Sequence, residues 1–147
     1  MNAADRTQIE NLIFRYARYV DTAQWEDLGR LFAAAQVTAN KTDLKLVGAE
    51  AVRDYWKSIN RQYENGTLCT HHVVTNLEME EISGGEVSVR SCFTVFQATP
   101  KLPLQPIACG RYQDRFDKAE GVWRFRSKHI EVTLVGEMRE HLNISLS

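Results

Sequence analysis

The sequence has no surplus of positive charge and no long hydrophobic run. The chain carries 18 Lys and Arg residues against 19 Asp and Glu residues, for a formal net charge of −1. Too little positive charge is available to neutralise a phosphate backbone, so we expect no nucleic-acid partner. Because no stretch of roughly 18 apolar residues occurs, we also expect no membrane span.

Cysteine is scarce, and the start of the chain does not resemble a secretory signal. Cys69, Cys92 and Cys109 are odd in number, far apart and without a C-x-x-C pair. This pattern fits reduced thiols better than a disulfide scaffold or a zinc site. The first ten residues, MNAADRTQIE, are polar and lack the apolar core of a signal peptide. We therefore expect a cytoplasmic protein and predict neither a metal site nor a cofactor.

The composition is that of an ordinary globular protein. Of the 147 residues, 44% are hydrophobic and 25% are charged. A chain of this length and composition can bury a substantial core. We expect one domain that spans residues 1–147.

Helical periodicity dominates the first part of the chain. Apolar residues at steps of three and four predict a helix over residues 3–21. A shorter amphipathic helix is predicted within 23–35, and a third over 49–66 that ends at an Asn-Gly pair. Residues 37–48 predict a β-hairpin. The predicted order is therefore helix, helix, hairpin, helix.

The second part of the chain has the pattern of long antiparallel strands. Its segments are rich in Val, Thr, Phe, Tyr and Trp and are separated by turn residues. Helices followed by such strands predict an α+β fold, with the sheet curling against the helices. The end of the chain, 136–147, is weakly patterned and is compatible with a tail, a lid or a dimer contact. The predicted strands are residues 68–82, 86–99, 106–117 and 122–134.

Two adjacent histidines open the first long strand. Successive side chains of a strand point to opposite faces, so His71 and His72 cannot share one site. His72 shares its face with Val74 and Asn76, although either imidazole can still be a structural or surface group. Asp21, at the end of the first helix, is the natural partner. A carboxylate orients an imidazole and stabilises the imidazolium. The alternative is that Asp21 caps the second helix.

Charged residues on the last two strands are expected to be mostly solvated. We expect Asp114 to pair with a basic neighbour. His129 has the parity of Trp123 and is therefore a candidate for an inward-facing residue. The basic residues expected to face outward are Arg124, Arg126 and Lys128.

Aromatic residues are more numerous than a small core needs. Some of them are expected to line an apolar pocket that the curled sheet leaves open. The candidate pocket residues are the aromatics Trp25, Phe32, Trp56, Phe93 and Tyr112, together with the polar residues Asn76 and His129.

Three motifs, in their order, resemble the SnoaL-like branch of the nuclear transport factor 2-like superfamily. They are IENLIFRYARYVDTAQWEDLGRLF, THHVVTNLEME and GRYQDRFDKAEGVWRFRSKHI. The resemblance covers roughly residues 6–134. It implies a cone: a strongly bent, mostly antiparallel sheet wrapped around three N-terminal helices, with an apolar pocket between them. Members include polyketide cyclases, scytalone dehydratase, bile-acid 7α-dehydratase and hexachlorocyclohexane dehydrochlorinase.

The resemblance also implies which residues act. In several eliminating members an aspartate ends the first helix and a histidine opens the first long strand, which matches Asp21 and His72 and leaves His71 structural. Bile-acid dehydratase has a tyrosine one helical turn earlier, which matches Tyr16. Two features depart from the family pattern. Lys128 stands where the dehydrochlorinase has an arginine, and SCFTVF has no carboxylate where the bile-acid enzyme has one.

The resemblance implies a cofactor-independent lyase or isomerase of dehydratase type, forming a homodimer or homotrimer. His72 would remove a proton from a small apolar molecule that is polyketide-, steroid- or aromatic-like. Asp21 would hold the ring, and Tyr16, with Tyr112 or Asn76, would donate hydrogen bonds. Two alternatives remain open: a non-catalytic module that binds a small ligand, and an auxiliary subunit like the β-subunit of ring-hydroxylating dioxygenases.

Overall fold

A computed structural model describes residues 1–144 and contains three α-helices, one short 3₁₀ helix (Ser83–Gly85) and six strands. Residues 145–147, the end of the weakly patterned C-terminal stretch, lie outside the described residues. None of the helices within residues 1–144 is long and apolar enough to cross a membrane. The helices are α1 (Ala3–Asp21), α2 (Trp25–Leu31) and α3 (Ala49–Ile59). The strands are β1 (Gln36–Ala39), β2 (Lys45–Val47), β3 (Thr70–Glu81), β4 (Val87–Thr99), β5 (Leu102–Ala119) and β6 (Val122–Val135).

Helix α1 is capped and tied to the sheet at its first turn. The Asn2 side chain accepts a hydrogen bond from the backbone N–H of Asp5, and the Asp5 carboxylate accepts one from the backbone of Asn2. This reciprocal arrangement satisfies two N–H groups that a helix start leaves free. The same carboxylate accepts hydrogen bonds from the Trp123 indole at 2.8 Å and from Lys118 at 3.0 Å. The N-terminus of α1 is thereby fixed to β5 and β6.

The six strands form one sheet in the order β2-β1-β6-β5-β4-β3. All neighbouring strands are antiparallel except β1 and β6, which are parallel. Strand β3 therefore lies at an edge, where α1 packs against it. This α+β architecture, with a mostly antiparallel sheet curled around three helices, confirms the predicted fold class.

The core fills the space between the helices and the inner face of the sheet. The Phe32 ring, just after α2, lies 4.7 Å from the Phe125 ring of β6, centroid to centroid. Phe116 of β5 lies 4.5 Å from Phe125 on the other side. All three side chains are fully buried. Tilted aromatic pairs at these distances contribute attraction beyond the area they bury.

Among the register shifts of the sheet, one in β3 and one in β6 change the orientation of candidate site residues. In β3, Asn76 has a φ of 56°, and the register with β4 shifts between Thr75 and Glu78. In β6, Arg126 is an extra residue, because Phe125 pairs with Phe116 and Ser127 pairs with Arg115. A bulge adds one residue to one strand, so the alternation of faces is reversed beyond it.

Some predicted boundaries differ from the observed ones because tertiary contacts set them. Helix α3 ends at Ile59, well before the Asn-Gly pair at 65–66. Asn60 is extended, its side-chain amide donates to the Trp56 carbonyl, and the Asn143 backbone donates to the Ile59 carbonyl. Helix α2 is also shorter than predicted, and β5 begins at Leu102, before the predicted start of that strand at residue 106. Prolines at positions 103 and 106 permit this, since a residue before proline favours an extended conformation.

Candidate active site

The predicted partners Asp21 and His72 are in direct contact. Asp21 Oδ1 lies 2.5 Å from His72 Nδ1. Asp21 Oδ2 accepts a hydrogen bond from the backbone N–H of His72 at 2.9 Å, and Oδ1 accepts a second bond from the Thr70 hydroxyl at 2.7 Å. The carboxylate is thus held by three donors from the first residues of β3, and it cannot rotate away from the imidazole without breaking them.

Local backbone geometry brings the end of α1 to the start of β3. The helix stops at Asp21, and Ala23 takes a φ of 56°, which turns the chain towards α2. The carbonyl of Asp21 then accepts a hydrogen bond from the Leu68 N–H at 3.1 Å. Cys69, with a φ of 55°, redirects the chain into β3. Gln24 is the N-cap of α2 and makes no side-chain capping bond, so the alternative role of Asp21 as its cap is not observed.

The environment of Asp21 favours its ionised form. Burial by itself would raise the pKa of this carboxyl group. The hydrogen bonds and charge of His72, together with the Thr70 hydroxyl, outweigh burial and lower the pKa below its ordinary value. A carboxylate beside Nδ1 places the ring hydrogen on that nitrogen and leaves the lone pair on Nε2. No hydrogen bond from residues 1–144 reaches Nε2. The pair can therefore accept a proton at Nε2 and stabilise the imidazolium that results.

Asp21 and His72 are called the dyad below. A concavity of about 450 Å³ between α1 and β3 reaches these two side chains. The dyad is sheltered but not sealed, since the side chains of His72 and Asp21 are 7% and 16% exposed. The walls combine apolar and polar groups. Its lining residues are Phe14, Ala17, Arg18, Asp21, Thr22, Thr67, Thr70, His71, His72 and Val74.

Tyr16 lies one helical turn before Asp21, with its ring buried among other aromatic rings. The Tyr112 ring lies 5.7 Å away and the Trp56 ring 6.4 Å away, both edge-on. Burial raises the pKa of Tyr16 above its ordinary value, and the negative charge of Asp114 raises it further. The phenol therefore keeps its hydrogen throughout the neutral range.

A buried ion pair beneath these tyrosines was not predicted as part of the site. Lys128 Nζ lies 3.3 and 3.4 Å from the two carboxylate oxygens of Asp114, and both side chains are fully buried. The same ammonium group lies 3.4 Å from the centre of the Tyr112 ring and 4.2 Å from that of Tyr16. Burial lowers the pKa of Lys128 and raises that of Asp114, while each charge opposes the shift of the other. Asp114 pairs with a basic neighbour as expected.

The predicted outward orientation of Lys128 is wrong, and so is the inward orientation considered for His129. The bulge at Arg126 reverses the alternation along β6, so Lys128 points into the core and His129 is exposed. The imidazole of His129 instead contacts the Thr38 hydroxyl at 2.7 Å. In the sequence, the only indication that Lys128 belongs near the site was its match, in the family resemblance, to an arginine of the dehydrochlorinase.

The remaining candidate pocket residues divide into two groups. Asn76 is exposed at the bulge of β3 and does not share the inner face with His72, which corrects the expected alternation. The five aromatic candidates are buried in the core and do not line the concavity beside the dyad. They are Trp25, Phe32, Trp56, Phe93 and Tyr112, and a role in binding a ligand remains a prediction for each of them.

Solved structures with a similar fold include proteins of several activities. A scytalone dehydratase-like protein from Novosphingobium aromaticivorans is 23% identical with a TM-score of 0.70, over 89% of this chain and 85% of that one. LinA is 19% identical with a TM-score of 0.72, over 98% of this chain and 94% of that one. A protein from N. aromaticivorans classed as the beta subunit of an aromatic-ring-hydroxylating dioxygenase is 20% identical with a TM-score of 0.69, over 97% and 100% of the two chains.

At these identities the structural similarity shows the fold alone. No protein of curated function matches the chain significantly in sequence. The sequence model of the SnoaL-like domain matches residues 1–129, which is most of the chain. The order of helices and strands, and the sequence match across them, lead to one conclusion: the chain belongs to the family of SnoaL-like domains.

Proposed function

We propose that this protein is a cofactor-independent lyase or isomerase that begins its reaction by removing a proton from carbon. The observation that carries the proposal is the 2.5 Å contact between Asp21 and His72. An imidazole held in one tautomer by a carboxylate is a general base that needs neither a nucleophilic side chain nor a metal. The similarity in fold to a scytalone dehydratase-like protein and to LinA supports this choice of reaction class.

In the proposed reaction Nε2 of His72 takes a proton from a carbon next to a carbonyl or similar group. The bonding electrons move onto the substrate, either to form an enolate or to expel a leaving group from the neighbouring carbon. The imidazolium is stabilised by Asp21, whose own position is held by Thr70 and by the backbone of His72. General base catalysis of this kind contributes about 10²–10⁴-fold.

The oxygen on which negative charge develops needs a donor, and Tyr16 is the candidate. The buried phenol keeps its hydrogen and lies one helical turn from Asp21. Preorganised donors of this type contribute about 10²–10³-fold when they meet the developing oxyanion. Tyr112, whose ring lies 5.7 Å from that of Tyr16, is the second candidate donor. Neither phenol lines the concavity, so a substrate oxygen has to enter the aromatic cluster behind it to meet either one. Asn76 is no longer a candidate because its side chain is exposed at the bulge.

The concavity beside the dyad supports a small, mostly apolar substrate. Its volume of about 450 Å³ falls within the range of pockets that hold small organic molecules. Phe14, Ala17 and Val74 offer apolar contacts, while Arg18 is positioned to attract an electron-rich oxygen. A ketone or hydroxyketone with a polyketide-, steroid- or aromatic-like skeleton has both properties.

Proton abstraction can be tested without knowing the natural substrate. The purified protein is incubated in D₂O with diacetone alcohol, indanone or a β,γ-unsaturated steroid ketone. NMR then follows both the exchange of the acidic C–H for deuterium and the appearance of any product. We expect exchange above the buffer rate for at least one compound. The variant His72→Gln should lose that exchange, while His129→Gln, altered on the exposed face, should retain it.

Two results would contradict the proposal. The first is a His72→Gln protein that exchanges as fast as the wild type, which removes His72 from the mechanism. The second is a wild-type protein that binds one of these compounds but returns it chemically unchanged and without deuterium. That result favours the module that only binds a ligand.

A further inference from the structure

Most of the polar side chains that line the concavity are already used within the protein. The two members of the dyad contact each other, and the Thr70 hydroxyl donates to the carboxylate. The Thr22 hydroxyl donates to a backbone carbonyl one turn earlier in α1, at 2.6 Å. The Thr67 hydroxyl donates to the side-chain oxygen of Asn65 at 2.8 Å. These groups shape the wall of the concavity, and their hydroxyl hydrogens are not available to a ligand.

Arg18 and His71 are the polar side chains of the lining that remain. Neither of them makes a hydrogen bond or an ion pair through its side chain within residues 1–144. Both residues are exposed. The guanidinium of Arg18 is always protonated in proteins, so its charge is permanent. The concavity therefore presents a fixed positive charge that no carboxylate of residues 1–144 contacts.

The sequence of α1 explains why Arg18 has no acidic partner on its own helix. Residues three and four positions apart on a helix are neighbours, with Cβ atoms about 5–6 Å apart. Around Arg18 these positions hold Phe14, Arg15, Asp21 and Thr22. The carboxylate of Asp21 is the one acid among them, and it is already held by three donors from β3. The helix thus leaves Arg18 free to pair with an anion in the concavity.

An apolar surface borders this positive charge. The side chain of Phe14 lies one turn before Arg18 on α1 and is 42% exposed, although it is a large aromatic group. Ala17 and Val74 extend the apolar wall towards the dyad. Sites for small molecules typically combine such apolar walls with a few polar groups that fix orientation. This wall complements a molecule with an apolar skeleton and one anionic group.

The number of cations favours a carboxylate as that anionic group. The lining contains one guanidinium, and it contains neither a lysine nor a second arginine. A single guanidinium matches the single charge of a carboxylate better than the double charge of a phosphate. Its planar set of N–H donors also fits the two carboxylate oxygens, which can accept two parallel hydrogen bonds.

We propose that Arg18 determines the substrate class by pairing with a carboxylate, so that the substrate is a small keto acid and not a neutral ketone. The inference rests on the proposed function, because it takes the concavity beside the dyad as the substrate site. Arg18 lies about one turn before Asp21, so the carboxylate and the reacting C–H are a few bonds apart in the substrate. The proton moves from carbon to His72 and the electron pair moves to the ketone oxygen, while Arg18 keeps its hydrogens and the carboxylate its charge.

The first experiment measures binding and requires no turnover. Its probes are two acids, 3-oxoindane-1-carboxylate and 4-oxopentanoate, and the methyl ester of each. Titration of the ¹⁵N-labelled full chain, followed by NMR, gives a dissociation constant for each compound. We expect the wild type to bind at least one acid about 5–20-fold more tightly than its ester. Higher ionic strength should weaken binding of the acid and leave binding of the ester unchanged.

Three variants test whether Arg18 is the cause of that preference. Arg18→Gln should reduce the affinity for the acid to that for the ester. Arg18→Lys keeps the charge but loses the paired donors, so it should retain part of the preference. Arg15→Gln is the matched control, because Arg15 is also exposed on α1 and unpaired within residues 1–144, yet it does not line the concavity. Its affinity for the acid should stay within about twofold of the wild type, since salt screens exposed charges that are not in contact.

Three results of the titration overturn the inference. The first is a wild type that binds neither acid more tightly than its ester, and a protein that binds none of the four compounds counts as this result. The second is a preference for the acid that survives in Arg18→Gln. The third is a preference that Arg15→Gln loses to the same extent, because the cause is then the general charge of the helix. Circular dichroism verifies that each variant is folded.

The D₂O exchange assay, run with the same four compounds, separates this inference from the proposed reaction. For the preferred acid, Arg18→Gln should raise KM about 5–20-fold with little change in kcat, because the carboxylate carries the same charge in the ground state and in the transition state. If the wild type binds an acid through Arg18 but exchanges no C–H, the general-base reaction fails and the carboxylate assignment stands. If it exchanges ketones without any preference for the acids, the reaction stands and only the inference about Arg18 is overturned.

Discussion

Asp21 and His72 are separated by 51 positions in the sequence, yet their side chains meet at 2.5 Å. The contact joins the last residue of α1 to the third residue of the edge strand β3. Both elements are fixed elsewhere in the fold, α1 by its capped first turn and β3 by its pairing with β4. The geometry of the dyad is therefore a property of how the first helix docks on the sheet.

Replacing Asp21 by Asn should reduce proton abstraction by about 100-fold or more, because a neutral amide cannot stabilise the imidazolium of His72. The rate of C–H exchange in D₂O measures this effect. Asp43→Asn, an exposed carboxylate far along the chain, is the control. Undiminished exchange in Asp21→Asn would show that the dyad does not act as a unit.

The capping carboxylate of Asp5 should contribute to stability in a defined pH range. Hydrogen bonds from Trp123 and Lys118 and from the backbone of Asn2 lower its pKa from 3.8 to about 2. Since the folded-state pKa lies below the unfolded value, the contribution is present above about pH 4 and is lost as the pH falls towards 2.

Urea unfolding between pH 7 and pH 2 measures that contribution. We expect Asp5→Asn to be less stable than the wild type at pH 7, and the difference should shrink towards pH 2. Asp43→Asn should follow the wild type throughout. A difference that stays constant with pH would mean that Asp5 acts through its hydrogen bonds alone and not through its charge.

The buried pair of Lys128 and Asp114 should be strongly non-additive. Lys128→Met leaves the Asp114 carboxylate buried without its partner and should cost about 3–5 kcal/mol of unfolding free energy. Adding Asp114→Leu to that variant should restore much of the loss, since no unpaired charge then remains. Urea unfolding of the two single variants and the double variant measures the coupling. Simple additivity of the two losses would contradict the pairing.

Gly110 should tolerate no side chain. A Cβ atom at this position would lie 2.0 Å from the Glu131 carbonyl oxygen and 2.7 Å from the Phe93 ring. Gly110→Ala must displace β6 or the Phe93 ring, which stacks on the Tyr112 ring at 4.4 Å, and we expect a loss of about 1–3 kcal/mol or more of unfolding free energy. Gly136→Ala is the matched control, because its nearest neighbour would lie at 3.3 Å. Thermal unfolding should show a much larger shift for Gly110→Ala than for Gly136→Ala.

The order of elements was predictable from the periodicity of the sequence, and the resemblance to the family identified Asp21 and His72 as partners, which are in contact. The stripe of apolar residues that includes Ile9, Ile13, Tyr16 and Val20 buries one face of α1, as the helical period requires. Helix α1, and with it this apolar stripe, ends at Asp21. Strand alternation placed His72 and Val74 on one face and His71 on the other. His71 is more exposed than His72, but the expectation that the two cannot share one site is wrong, because both line the same concavity at the edge of the sheet.

Predictions failed where two distant segments determine the outcome. The exposed positions of His129 and Asn76 and the burial of Lys128 follow from bulges, and a bulge exists only in the pairing of two strands. The burial of His141 could not be predicted either, because it depends on Glu140 binding to Gln97, Tyr63, Arg61 and Thr99.

The sequence by itself determined which segments form helices and strands, because the periods of 3.6 and two residues are local properties of the chain. It also limited the possible bases to a few imidazoles. Only the tertiary structure decided how closely the carboxylate of Asp21 approaches the ring of His72, which charged groups are buried, and where the end of the chain packs. Those outcomes depend on contacts between residues tens of positions apart, and such contacts have no local periodicity.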